Sequence, residues 1–155
     1  MQFSSKEDID APIEEVFAAV SDFDGFERSA IRRGIEVRRE DEAAAVAPGM
    51  AWDAAFDLRG KRRNLRLVLA RLAAPEEMQV ESESTGLTGV MTVELVALSP
   101  QRTRMAIVLN LAPKTLSARL FLQSLKLAKT SLTKRFKLKV AEFAKSIEES
   151  KTRTA

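Results

Sequence analysis

The chain contains no cysteine, no histidine and no tyrosine among its 155 residues. Without cysteine there are no disulfides, thiolate metal sites or cysteine nucleophiles, and a reducing, cytoplasmic setting is expected. Without histidine there are no histidine-dependent triads and none of the usual zinc sites. Asp, Glu, Lys, Arg, Ser and Thr remain for proton transfer or nucleophilic attack, and no catalytic set, metal site or cofactor is assigned among them. Long apolar runs are missing as well. None approaches the roughly 20 residues that span a bilayer, and the opening MQFSSKEDID has no basic segment leading into an apolar one, so neither insertion nor secretion is expected.

What is present is ordinary for a folded domain. Hydrophobic residues make up 45% of the chain and charged residues 30%, enough to form one buried core and too apolar for wholesale disorder. The length suits one domain, expected over residues 1–150, with 151–155 as a frayed tail. The formal net charge of +3 is unevenly spread: from Lys114 onward there are eleven Lys or Arg against three Glu, and the preceding part is net acidic.

Periodicity divides the chain into elements. Gln2 to Asp10 alternates, with Phe3, Ser5, Glu7 and Ile9 on one face, as a strand does. Pro12 suits the first turn of a helix, Glu14 and Glu15 complement its positive end, and Ile13, Val16, Phe17 and Val20 form its apolar stripe. Ser21 and Asp22 can cap a second short helix that stops at Gly34. From Ile35 the period changes to two, and six strands follow, separated by turn signals at Pro48-Gly49, Gly60, Pro75, Gly86 and Ser99-Pro100. Thr115 to about Glu149 has no Gly or Pro and reads as one long helix of roughly 50 Å, striped by Phe121, Leu125, Ala128, Leu132, Phe136, Phe143 and Ile147. A consecutive antiparallel sheet needs its apolar face covered, and this helix is available to cover it.

The stretch DIDAPIEEVFAAVSDFDGF carries a further signal. A first strand ending in Ala11-Pro12, then a helix with Glu14, Val16, Phe17, Val20, Ser21 and Asp22 at these spacings, resembles the START-like (SRPBCC) superfamily, the polyketide cyclase and birch pollen allergen type. The resemblance implies an α+β helix-grip fold: a curved seven-stranded antiparallel sheet wrapped around a long C-terminal helix, with two short helices after strand 1. It also implies an apolar cavity between sheet and helix. Members bind lipids, sterols, quinones or plant hormones, cyclise polyketides, or act as cochaperones, so the fold leaves function open.

On the inward faces we expect Trp52, Phe56, Leu67, Leu69, Met78, Val80, Met91, Val93, Met105 and Ile107, joined by Phe121 and Leu125 of the long helix. Met78, Met91 and Met105 lie on successive strands, and their unbranched thioethers adapt to varied apolar ligands. The same residues could instead pack against one another in a filled core. Glu7, Arg39 and Arg71 are the interior polar candidates, together with Ser82 and Ser84. A buried Glu7 would need a partner, and Arg39 is the expected one; the alternative is that these groups reach water at strand ends. Asp53 and Asp57, opposite Trp52 and Phe56, should face solvent. The basic run LRGKRRNLR reads as solvated surface, as a dock for an anionic membrane surface, or, less well because no aromatic is interleaved, as a nucleic-acid contact. The leading expectation is a non-catalytic binding protein for a hydrophobic small molecule or lipid. The alternatives are a polyketide cyclase or aromatase-like enzyme using Glu7 or Arg71, and an interaction module with a filled cavity.

Overall fold

The computed structural model describes residues 1–42 and 45–154, with side chains up to residue 150. The middle of the EAAAVAPG connection lies outside the described residues, as do Ala155 and the side chains of 151–154 in the expected frayed tail, over which the backbone of the last helix continues to Thr154. The elements run β1 (Gln2–Ile9), α1 (Ile13–Val20), α2 (Phe23–Arg32), β2 (Glu36–Arg39), β3 (Ala51–Leu58), β4 (Lys61–Ala73), β5 (Glu77–Ser84), β6 (Leu87–Ser99), β7 (Arg102–Pro113), α3 (Leu116–Lys126) and α4 (Lys129–Thr154). The seven strands form one antiparallel sheet in the order β1-β7-β6-β5-β4-β3-β2. This is the α+β helix-grip arrangement, with two short helices after the first strand and a long helix at the C-terminus.

Local chemistry accounts for most of the boundaries. Asp22 caps α2, its carboxylate accepting from the Gly25 N–H at 3.1 Å. The β3–β4 and β5–β6 hairpins close through two-residue turns in which both central residues have positive φ: Arg59 (52°) with Gly60 (75°), and Thr85 (43°) with Gly86 (78°). Such turns match the right-handed twist of the flanking strands and fix their register. The second hairpin also seats α3. Gly86 O accepts from Lys114 N–H at 2.6 Å, and Thr115, the N-cap of α3, accepts from Ala118 N–H at 3.1 Å. A Cβ on Gly86 would lie 2.5 Å from Thr115 Cγ2, so only glycine lets the hairpin tip approach the cap this closely.

The expected single C-terminal helix is two helices. The chain turns at Leu127 and Ala128, leaving Leu127 92% exposed, although no Gly or Pro marks the place. With the break, α3 packs on β7 and α4 on β1, and each buries its own inward face. Packing overrides local propensity here.

Ile9, Val16, Leu69 and Met105 are fully buried at the centre of the core, which the sheet forms with α1 and α4. Thr103 is buried among them, its hydroxyl donating to Ala11 O at 2.8 Å. That bond pins the strand-to-helix corner to β7 and satisfies two polar groups that would otherwise be buried unpaired.

Candidate functional site

The inward face of the sheet is not filled, and two clefts open to solvent remain between it and the helices. Phe23, Phe26 and Ala30 of α2 face Trp52, Leu67, Met78, Val80 and Met91 across a cavity of about 210 Å³, with Glu27 at its wall. A second cavity of about 220 Å³ lies under α4, between Phe136, Val140 and Phe143 on the helix and Met78, Met91, Val93 and Ile107 on the sheet. Phe26, Met78 and Met91 line both, so the two spaces abut. Each alone is smaller than the roughly 300–1,000 Å³ usual for ligand pockets, and together they reach the lower end of that range. The Phe26 and Phe143 rings, with centroids 5.7 Å apart, stand at the outer edge where α2 meets α4, and Phe26 is 42% exposed there. A larger depression of about 600 Å³ lies on the outer face of the sheet among Glu36, Arg38, Asp53, Asn64, Arg66 and Glu83, and its wall of solvated charges is unlike either cavity.

The twelve expected lining residues separate into groups. Trp52, Leu67, Met78, Val80, Met91, Val93 and Ile107 border the two abutting cavities. Phe56 and Phe121 border a third, of about 170 Å³, at the hairpin end of the sheet. Leu69 and Met105 are fully buried core, and Leu125 borders none of the three.

The interior polar groups are arranged differently from expectation. Glu7 and Arg39 do not meet, because β1 and β2 are the two opposite edges of the sheet. Glu7 does lie on the inward face, half-buried beside Met105, and has no ion pair among the described residues. Arg39 instead reaches α2. Its Nε–H donates to Glu27 Oε1 at 2.8 Å and Nη2 to Asp24 Oδ1 at 2.7 Å, while Trp52 Nε1–H donates to the same Glu27 oxygen at 2.7 Å. Burial pulls the Arg39 guanidinium down, and the hydrogen bonds to Glu27 and Asp24 more than offset it, holding it above the usual arginine range. The cluster ties α2 to β2 and β3 and so sets one wall of the first cavity. Arg71 is a second correction: it faces solvent and pairs with Glu77 at 3.4 Å. The register shifts between Leu69 and Arg71, and one extra residue in a strand reverses the alternation that follows. Asp53 and Asp57 are exposed, as their alternation requires.

Several contributors escaped the sequence reading, among them Phe136, Val140 and Phe143 of α4, Phe26 and Glu27 of α2, and Arg63. Phe26 and Glu27 fall at helical spacing from Phe23, so the α2 face toward the sheet was readable once that helix was placed. Arg63 was grouped with a solvated basic run. It precedes Leu65 and Leu67 by period two on β4, and it faces inward with them.

No protein-family model matches the sequence, and no curated protein matches it. Solved structures do. The chain superposes on TTHA0849 from Thermus thermophilus with a TM-score of 0.68 at 13% identity, over 97% of this chain and 99% of that one. An aromatase/cyclase, Zhui, from Streptomyces sp. R1128 gives 0.65 at 13% identity over 96% and 93%. A START superfamily protein from Mycobacterium smegmatis gives 0.54 at 14% identity over 86% and 95%. At these identities the likeness is one of fold, and by element order, strand order and superposition the fold of this chain is the START-like (SRPBCC) helix grip.

Proposed function

We propose that the protein is a non-catalytic carrier that holds a hydrophobic small molecule or lipid between the sheet, α2 and α4. The observation that carries this reading is the pair of abutting cavities walled almost wholly by apolar side chains. Water in such a space gains few hydrogen bonds, so an apolar ligand displaces it favourably. Methionines at the junction add adaptability without fixing one ligand shape. A filled-core interaction module would not need this space. The aromatase or cyclase reading loses the groups expected to serve it, since Arg71 faces solvent and Glu7 lines neither cavity.

The surface from which the ligand is taken, on this reading, is an anionic membrane face touched by α3. Leu116 and Leu120 project from one side of that helix at 72% and 56% exposure and Leu127 from the turn that follows it at 92%, with Lys114, Arg119, Lys126 and Lys129 close by. Exposed leucines beside lysines and arginines suit shallow insertion at an anionic interface. No helix among the described residues is long and apolar enough to cross a membrane, so such contact would be peripheral.

The deciding measurement is native mass spectrometry of freshly purified protein followed by organic extraction. A stoichiometric apolar compound is expected. A clean apo mass, with no thermal shift across a hydrophobic panel, would overturn the carrier reading.

A further inference from the structure

Arg63 is the feature of the molecule that the carrier reading leaves unexplained. Six of the seven other sheet arginines, Arg39, Arg62, Arg66, Arg71, Arg102 and Arg104, each meet a carboxylate, and the seventh, Arg38, is exposed to solvent. Arg63, half-buried on the inward face opposite Phe56, meets none among the described residues, and its Nε is buried without a hydrogen-bond partner. Its guanidinium stands over the Phe121 ring, 5.2 Å from the centroid. Arg59 approaches the same ring at 5.9 Å and donates to Ser124 Oγ at 3.1 Å. The two cations therefore converge on α3 at one end of the sheet.

The space beside Arg63 is the third cavity, of about 170 Å³, bounded by Phe56, Leu65, Leu87, Ala118 and Phe121, with the hydroxyl residues Ser84 and Ser117 at its edge. It shares no lining residue with the two larger spaces, and β4 links it to the first of them. Leu65 borders this cavity and Leu67 the first one, and they are successive inward residues of β4, about 7 Å apart along the strand. A ligand that passes the step between Leu65 and Leu67 would have its apolar part under α2 and α4 and one end beside Arg63.

A buried N–H without an acceptor costs about 1–3 kcal/mol, and more when it belongs to a cation. An anion at this place would remove that cost and gain a charge-assisted bond. Nε and one Nη of an arginine form a fork that fits the two oxygens of a carboxylate, and the small volume favours a carboxylate over a bulkier headgroup. We propose that the cavity between β3, β4 and α3 receives the carboxylate of an amphiphilic ligand, anchored by Arg63. The inference rests on the carrier reading and specifies its ligand class as an apolar chain or ring system ending in one acid.

Trp52, the only tryptophan in the chain, lines the first cavity and supplies the readout. Dodecanoate, dodecanol and dodecyl phosphate are titrated against tryptophan fluorescence at a pH where the acid is ionised. Dodecanoate is expected to bind about 10- to 100-fold more tightly than dodecanol, the range of a charge-assisted hydrogen bond. In Arg63→Gln the ratio should fall to near one with dodecanol binding unchanged. Arg63→Lys, which keeps charge but loses the fork, should retain part of the preference. Thermal melts check that both variants fold, and the wild-type ratio decides the matter should Arg63→Gln not fold. Equal affinity of wild type for acid and alcohol would overturn the carboxylate anchor and leave the carrier reading standing, whereas binding of neither would overturn both. A preference that survives in Arg63→Gln removes Arg63 from the role, and tighter binding of dodecyl phosphate replaces the carboxylate by a phosphate.

Discussion

Glu27 holds two donors with one oxygen, and one of them, Arg39, has a side chain only 12% exposed. Glu27→Ala would leave the guanidinium with Asp24 alone and Trp52 Nε1–H with no acceptor. We expect a loss of about 2–4 kcal/mol, read from urea denaturation, and a smaller loss for Glu27→Gln, which keeps an acceptor oxygen. Unchanged stability in Glu27→Ala would show that the cluster does not hold α2 on the sheet. The Asp8 and Arg104 pair acts at the same scale through pH. The hydrogen bond from Arg104, 2.8 Å from Nε to Oδ1, holds the Asp8 carboxyl below its ordinary range, against a smaller opposing effect of burial and with help from the charges of Arg104 and Arg102. A depressed folded-state pKa contributes stability that is present above the unfolded value of about 3.9 and is lost as pH falls through the folded value. Asp8→Asn should therefore flatten the fall in melting temperature below about pH 4, and curves that stay parallel in wild type and variant would refute the linkage. Arg39 and Arg71 show what was legible at this scale. The residue type of Arg39 signalled an ion pair, but its partner depended on which strands became the sheet edges, and Arg71, expected inward, is turned outward by a bulge with no residue signature.

The helix break separates α3 from α4 and gives α3 an outer face of its own. Leu120→Asp with Leu127→Asp should leave stability within about 0.5 kcal/mol, because both side chains are already exposed. The pair should abolish co-sedimentation with phosphatidylcholine vesicles containing phosphatidylglycerol, and binding that persists would exclude this face as the membrane contact. The seating of α3 depends on the hairpin tip. Gly86→Ala places a Cβ in a residue with φ of 78° and against Thr115, and should cost about 1–2 kcal/mol in thermal or chemical unfolding. A neutral outcome would mean that the cap gives way easily. Element identities were well marked by period: the strand faces of β3 and β4, the Asp22 cap and the Gly60 and Gly86 turns all stand in the residues themselves. The Leu127 turn was not, since LKLAKTS holds no strong helix breaker and the turn separates a helix packed on β7 from one packed on β1.

Across the whole molecule, the cavities exist because α2 and α4 rest on the rim of the sheet and not against its centre. Met91 sits where the two abutting spaces meet. Met91→Trp should fill that junction and weaken dodecanol binding by about tenfold or more, while the melting temperature moves by a few degrees at most. Retained affinity with an intact fold would place the ligand elsewhere.

The sequence by itself determined the order of elements, the inward and outward faces of most strands and the helix-grip architecture, because alternation, helical stripes, caps and turn glycines act over a few neighbouring residues. Tertiary structure alone decided how much of the interior is empty, which carboxylates meet Arg39, and that Arg63 lies against an apolar cavity with a buried Nε that has no hydrogen-bond partner among the described residues. Those depend on how far α2, α3 and α4 stand from the sheet, and that distance is set by contacts between segments far apart in the chain, such as Phe3 with Phe136 and Phe26 with Phe143.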